Sequence, residues 1–306
     1  MKWLSVQEVA RNWGVTAQTV RYYCREGYIT DAFMSERCWY IPSTASMPEL
    51  DEWKKVPPPL LEKLLIQKGS TYRGIYNYLQ INMAYSSSRM ASNRLTRNHV
   101  ECLFKKGKLL STNEMMKLND FIEVRNHFLC VDYILDEAMS PLRVSLVTEL
   151  HGLLFSDVCG HKLKPQRSAI FRSSRSNAYT TTNDSPEEIR QCLSNLFKRY
   201  EKIVNVRLHD ILWLHVQFER IVPFNDGNGR IGRLIILKEC LRNNIMPFVI
   251  DDKRRFEYLR GISDWDERPG LLLNVCKECQ ARFSSDMETM NLIDAHSRIM
   301  RQIRRE

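Results

Sequence analysis

The chain has 306 residues and a net charge of +9, with 43% hydrophobic and 26% charged residues. This length leaves room for one small and one larger domain. No apolar run reaches about 18 residues and no signal-peptide pattern opens the sequence, so we expect a cytoplasmic chain without a membrane partner. The nine cysteines, an odd number scattered through helical patterns, fit reduced thiols.

The first 30 residues predict two short helices around a glycine turn. Ser5 and Glu8 have the spacing of a capping box at the first helix start, and Gly14 ends that helix. A second helix follows from Ala17, which together makes the plan of a helix-turn-helix. The start of the second helix is where such motifs contact DNA. Candidate DNA contacts are Thr16, Gln18, Thr19, Arg21, Tyr22 and Arg25, with Arg37 in the segment that follows.

Residues 28–33 and 38–42 predict a small β-hairpin, or wing, after these helices. With it, residues 3–48 resemble the winged helix-turn-helix of MerR and excisionase-like bacterial regulators. Residues 1–50 carry five basic and five acidic side chains, so they lack the net positive charge of a strong DNA binder. We therefore expect DNA binding to need a homodimer. The alternative is a helix-turn-helix retained as a protein-interaction module.

The domain organisation follows from proline positions and helical periodicity. Pro57, Pro58 and Pro59 break helices, which predicts a stiff linker over residues 51–59 after a first domain of residues 1–50. Residues 60–280 carry mostly helical patterns, and residues 281–306 predict a basic C-terminal helix. The fold class is therefore mainly α. The excess of basic residues lies beyond residue 80.

The run from Val222 to Arg233 is the strongest functional signal. Its Gly-Asn-Gly turn precedes a predicted helix, and backbone N–H groups at a helix start form an anion site. Asp226 is an oxygen ligand suited to Mg²⁺. Arg230 and Arg233 lie one turn apart and suit phosphate oxygens. An ordinary Asn-Gly loop before an amphipathic helix is the alternative.

This run resembles the signature of Fic (Fido-fold) proteins, His-Pro-Phe-x-(Asp/Glu)-Gly-Asn-Gly-Arg-x-x-Arg, at every fixed position except the histidine, which is Val222 here. The resemblance implies an all-helical domain that transfers AMP from ATP to a protein hydroxyl. It also implies a Mg²⁺ ligand at Asp226. The implied nucleotide-binding residues are Phe224, Asp226, Gly227, Asn228, Gly229, Arg230 and Arg233.

The histidine that Val222 replaces is the general base of that family. A positioned general base contributes about 10²–10⁴-fold to a rate. His215 lies seven residues upstream, about 10 Å along a helix, and we interpret it and His209 as structural. Two hypotheses remain. One is a nucleotide-binding pseudoenzyme that acts as a DNA-binding regulator, and the other is an active protein adenylyltransferase.

The segment from Ser87 to Thr96 resembles the inhibitory helix of Fic proteins, with Ala91 at the position of the inhibitory glutamate. By that resemblance, Arg233 loses its carboxylate partner and stays free for a phosphate. The alternative is a helix start with Ser86, Ser87 and Ser88 as candidate N-caps.

Residues 162–176 occupy the place of the Fic flap, a β-hairpin that holds a target protein by strand addition. A basic surface loop is the alternative. Ser185, Pro186 and Glu188 then predict a capped helix start. Cys276 and Cys279 lack two further ligands at zinc-site spacing, so we interpret them as helical and unliganded.

Overall fold

The computed structural model describes residues 3–15, 17–25, 28–29, 31–35, 38–47, 57–70, 74–110, 116–158, 171–172 and 185–303; the side chains at positions 18, 19, 22, 25 and 291–303 are not described. The chain divides into two compact units, Met1–Pro57 and Pro58–Glu306. Within the described residues, no helix combines the length and the apolar character needed to cross a bilayer. The prediction of a mainly α chain is confirmed.

The first unit contains two helices and a three-stranded antiparallel sheet in the order β1-β3-β2. Its elements are β1 (Trp3–Leu4), α1 (Val6–Trp13), α2 (Ala17–Arg25), β2 (Phe33–Ser35) and β3 (Cys38–Pro42). Phe33 pairs with Tyr40 and Trp3 with Pro42. The predicted capping box is confirmed, because Ser5 accepts from the Glu8 N–H and Glu8 accepts from the Ser5 N–H. Gly14 ends α1 in the left-handed conformation.

The second unit is helical throughout its described part. Its helices are α3 (Pro59–Lys68), α4 (Gly74–Met90), α5 (Arg97–Lys106), α6 (Leu118–Asp136), α7 (Val144–Leu154), α8 (Pro186–Tyr200), α9 (Leu208–Ile221), α10 (Asn228–Arg242), α11 (Arg255–Ser263) and α12 (Pro269–Ile303). The predicted cap of α8 is confirmed, since Ser185 and Glu188 form a capping box. The predicted boundary at residue 280 falls inside α12, which also contains Cys276 and Cys279.

Helix α10 forms the centre of this unit. Every residue from 230 to 241 is buried, and the helix contacts α3, α4, α6, α7 and α9. A helix that is buried on all sides needs neighbours on all sides, and its buried charged residues need partners. The N-terminus of α10 is therefore held rigidly by the packing of five surrounding helices, which fixes the direction of its first N–H groups.

Candidate functional site

The loop between α9 and α10 is held by one asparagine side chain. Asn228 Oδ1 accepts from the Phe224 N–H at 2.9 Å, and Asn228 Nδ2 donates to the Phe224 carbonyl at 2.8 Å. Phe224 is itself buried and stacks on His151, with ring centroids 3.9 Å apart. The Asn228 side chain thus builds the loop. Because this side chain is bonded to Phe224, the group of Asn228 that could bind an anion is its backbone N–H, at the first position of α10.

Gly227 is required at its position for two reasons. Its φ of +85° lies in the left-handed region, which side chains rarely adopt. A Cβ there would also lie 2.7 Å from the Phe155 ring and 3.3 Å from Leu154. The glycine lets α10 begin against α7, and the positive end of the α10 dipole then faces the cavity described below.

Val222, at the predicted position of the base, adopts a left-handed conformation with φ 46° and ψ 63°. This conformation is unusual for a β-branched residue and costs roughly 1–2 kcal/mol. The Val222 carbonyl accepts from Arg172 Nε at 2.7 Å, and the Pro223 carbonyl accepts from the Arg172 N–H at 3.0 Å. The loop is therefore held in a strained shape without a titratable side chain at this position.

Arg230 is a charge partner of two carboxylates. Its side chain is 3% exposed, forms an ion pair with Glu123, and contacts Asp226 Oδ2 at 3.1 Å. Its guanidinium lies 4.9 Å from the centre of the Phe155 ring. Arg230 also lines the cavity, and these contacts position Asp226, while the role of Arg230 as a phosphate ligand stays a prediction. The Asp226 side chain remains 60% exposed.

Arg233 is bonded to Ser87, and its predicted contact with a phosphate stays a prediction. Its Nε donates to Ser87 Oγ and its Nη2 donates to the Ser87 carbonyl, each at 3.1 Å. A Cβ on Gly229 would lie 3.0 Å from Arg233 Nη1, so the guanidinium reaches back to the anion loop. The missing glutamate at Ala91 is thus replaced by uncharged partners, and the positive charge of Arg233 stays uncompensated by them.

The serine run lies at the end of a helix, so the alternative of a helix start is wrong. Ser86, Ser87 and Ser88 are buried in the last turns of α4, so they do not cap a helix start. The hydroxyl and the carbonyl of Ser87 instead accept hydrogen bonds from Arg233. Ala91 follows α4 and is exposed at the rim of the cavity.

These residues surround a cavity of about 280 Å³. The anion loop lines it over residues 225–230, together with Arg233. Helix α4 contributes Met90 at its end, followed by Ala91. The rest of the wall was not predicted. Most of it lies on α11, which begins more than 20 residues after the motif ends and carries no motif of its own. That wall consists of Glu219 on α9 and Arg255, Tyr258, Leu259 and Ile262 on α11.

Two buried histidines lie near Arg233. Burial and, to a smaller extent, the Arg233 charge lower the pKa of His215 to about 3. His215 Nε2 shares a hydrogen bond of 2.5 Å with the Tyr258 hydroxyl. Burial, Arg233 and Arg230 likewise lower the pKa of His127 to about 3. His127 was missed in the sequence because nothing marks an isolated histidine on α6. His209 is 53% exposed and is not among the lining residues.

Glu219 has the opposite shift. Burial raises its pKa to about 7, and the Arg233 charge opposes this rise. Glu219 lies one turn before Val222, near the C-terminal end of α9. A carboxyl group that titrates near neutral pH in a cavity is a functional candidate.

The predicted metal ligand is a single carboxylate. Across the residues that the structure covers, no group of three His, Cys, Asp or Glu side chains forms a metal site. Mg²⁺ commonly binds through one or two carboxylates plus substrate phosphates, and the exposed Asp226 beside the α10 N-terminus fits that mode.

The remaining predicted residues lie in other parts of the chain. Arg21 is exposed on α2, and Gln18, Thr19, Tyr22 and Arg25 belong to the same helix. Thr16 and Arg37 lie outside the described residues. Most of the predicted flap, residues 162–176, also lies outside them. Its Phe171 and Arg172 are described, and both are buried against the motif loop.

The Fic/DOC family model matches residues 141–240. The chain is 28% identical over 152 residues to a protein adenylyltransferase Fic of Culex quinquefasciatus, covering 44% of this chain and 29% of the relative. It is 32% identical over 95 residues to a probable protein adenylyltransferase of Aquifex aeolicus, covering 30% of this chain and 28% of that relative. The chain thus spans under a third of the length of these relatives.

Solved structures extend this likeness at the level of the fold. A Fic-domain signalling protein of Bacteroides thetaiotaomicron superposes with a TM-score of 0.60 at 20% identity, covering 76% of this chain and 96% of that one. A Fic protein of C. elegans superposes with a TM-score of 0.56 at 15% identity, covering 75% and 68%. The family model thus matches the region that contains the motif, residues 141–240, and the solved Fic structures share the fold of this chain.

Proposed function

We propose that the Fic domain of this chain binds ATP with Mg²⁺ and transfers AMP slowly or not at all. The observation that carries this proposal is the cavity at the N-terminus of α10, where a glycine loop, Asp226 and the Arg233 cation meet. Each feature favours bound phosphate. The adenylyltransferases among the relatives support ATP as the nucleotide.

The roles follow from the contacts. The first N–H groups of α10 and the Arg233 guanidinium hold the phosphates, and Asp226 holds Mg²⁺, which neutralises phosphate charge when bound. Arg230 and Glu123 fix the position of Asp226. Phe224 holds the loop by stacking on His151.

The transfer step lacks its proton acceptor because Val222 cannot take a proton from a hydroxyl. Loss of a general base slows a reaction by about 10²–10⁴-fold while leaving binding intact. Active adenylyltransfer to a Ser, Thr or Tyr hydroxyl is the second candidate. It is favoured by the retained anion loop and by the adenylyltransferase relatives.

We further propose that the first unit makes the chain a cytoplasmic DNA-binding regulator. Two short helices and a hairpin follow one another there, and Arg21 is exposed on the second helix. The neutral charge of residues 1–50 favours a homodimer on DNA. The nucleotide-binding domain would then act as a sensor or as a docking unit for a partner protein.

Calorimetric titration of the native chain with ATP and Mg²⁺ tests the nucleotide site. We expect binding that Arg233→Ala weakens by roughly 10–100-fold, since a hydrogen bond to a charged group contributes about 1.5–3 kcal/mol. Arg233→Lys, which keeps the charge and loses the planar fork, should fall between the two.

Arg220→Ala is the matched control, because Arg220 pairs with Asp266 and does not line the cavity. Thermal unfolding of each variant identifies any loss of folding. A native chain that does not bind ATP, or an Arg233→Ala variant that binds as the native chain does, would contradict the proposal.

A further inference from the structure

We infer that Glu219 is a specificity-determining residue of this cavity, a negative charge that weakens the binding of a nucleotide in proportion to the charge of its phosphate chain. This inference rests on the proposed nucleotide site and names which phosphate ligands that site prefers. It concerns a residue outside the Gly-Asn-Gly-Arg motif and outside the serine segment at the end of α4.

Glu219 lies close to the proposed phosphate site. Its side chain lines the same cavity as Arg233 and the anion loop, and it is 22% exposed. A Cβ on Gly232 would lie 2.6 Å from Glu219 Oε1, so the carboxylate rests on the backbone directly before Arg233. A ligand phosphate at the Arg233 guanidinium would therefore approach the carboxylate as well.

The Glu219 carboxylate has no hydrogen bond at Oε1 and no positively charged partner on its own helix. Glu219 Oε1 is buried and has no hydrogen-bond partner among the described residues. His215 Nε2 is 3.9 Å away, but the low pKa of His215 keeps it neutral. When Glu219 is ionised, no hydrogen bond to Oε1 reduces the effect of its charge on a neighbouring phosphate.

Other charged groups also line this cavity. The anion loop contributes the Asp226 carboxylate, and helix α10 contributes Arg230, which is paired with Asp226 and Glu123, and the Arg233 cation. Helix α11 contributes Arg255, which is exposed, and Tyr258, whose pKa is raised far above its usual value by burial and which is therefore a neutral phenol. Helix α4 and the residue after it contribute only uncharged side chains. Glu219 thus offsets the Arg233 charge on which a polyphosphate depends.

Protonation of Glu219 controls this effect. With a pKa near 7, the carboxyl group is mostly neutral at pH 6 and mostly charged at pH 8. The difference in affinity between the native chain and a neutral variant should therefore be small at pH 6 and large at pH 8.

The test is calorimetry of the native chain, Glu219→Gln and Glu219→Asp with ATP, ADP and AMP at pH 6 and pH 8. At pH 8, Glu219→Gln should bind ATP about tenfold more tightly than the native chain, ADP less so, and AMP nearly equally, from charges a few ångströms apart at a protein-like dielectric. Glu219→Asp keeps the charge and should retain the native order of affinities.

Glu257→Gln is the matched control, because Glu257 lies on α11, is paired with Arg254, and does not line the cavity. Equal gains for all three nucleotides, or no gain, would overturn the role of Glu219 while the nucleotide site stands. If neither the native chain nor Glu219→Gln binds any of the three, the proposed nucleotide site fails, and the inference fails with it.

Discussion

At the scale of single residues, the proposed loss of transfer activity depends on Val222. The surrounding loop has the shape that the motif requires, with Asn228 bridging to Phe224 and Arg172 bonded to the Val222 carbonyl. The loop therefore does not depend on the side chain at position 222 for its construction. A substitution at position 222 can therefore change the chemistry of the loop without removing the bonds that hold it.

We expect Val222→His to gain transfer of AMP onto protein, while the native chain stays silent under the same conditions. The expected gain is about 10²–10⁴-fold, the usual contribution of a positioned general base. Labelling with ATP that carries a radioactive α-phosphate measures it. Val222→Gln, which is polar and cannot act as a base, is the control.

Labelling by the native chain at the rate of Val222→His would mean that another group takes the proton, and the pseudoenzyme hypothesis would then be wrong. A silent Val222→His variant that still binds ATP would mean that the target protein, and not the base, is what is missing.

The sequence predicts some residues of the site and not others. The glycine loop, Asp226 and both motif arginines were found because their spacing is local. Glu219 and His127 were missed because their significance depends on the approach of other helices. The contact between Arg233 and Ser87 was not predicted for the same reason. It joins residues 146 positions apart, and no local pattern reveals such a contact.

At the scale of elements, the start of α10 depends on the close approach of α7. Gly227 meets the Phe155 ring of the α7 C-cap, and Phe155 in turn lies beneath the Arg230 guanidinium. Helix positions were predictable from capping residues, as at Ser5 and Ser185. The end of α4 was not, because serine is common at helix starts and only tertiary packing buries three serines in a last turn.

We expect Gly227→Ala to destabilise the domain more than Gly107→Ala. Both glycines have positive φ, so each variant incurs a backbone cost of about 1 kcal/mol. Only at Gly227 would the new methyl group also overlap an aromatic ring, whereas nothing lies within 4 Å of a Cβ at Gly107. Overpacking adds typically 1–3 kcal/mol. Denaturant unfolding measures both variants, and equal losses would mean that α7 moves aside without cost.

At the scale of the whole molecule, the chain combines a small unit with a helical unit that holds every residue lining the described cavity. The fold class could be predicted because helical periodicity dominates the chain. The domain bounds stay a prediction. Residues 51–56 of the proposed linker and most of the flap lie outside the described residues.

We expect the two activities to separate with the two units. Residues 58–306 expressed alone should bind ATP with Mg²⁺ within about twofold of the full chain, because the anion loop and the cavity wall lie in that unit. Residues 1–57 should retain, and residues 58–306 should lose, the selection of specific sequences from a pool of random DNA duplexes. Sequence selection by residues 58–306 alone would contradict the helix-turn-helix hypothesis.

The left-handed backbone at Val222 also bears on how such a domain evolves. Valine is poorly suited to this conformation, whereas histidine, asparagine and glycine tolerate it better. A substitution that restores a base at this position would also relieve strain, so recovery of activity needs no prior stabilising change elsewhere. Position 222 is therefore a suitable target for directed evolution. Variants at this position that are selected for thermal stability alone should include histidine, which could also act as a base.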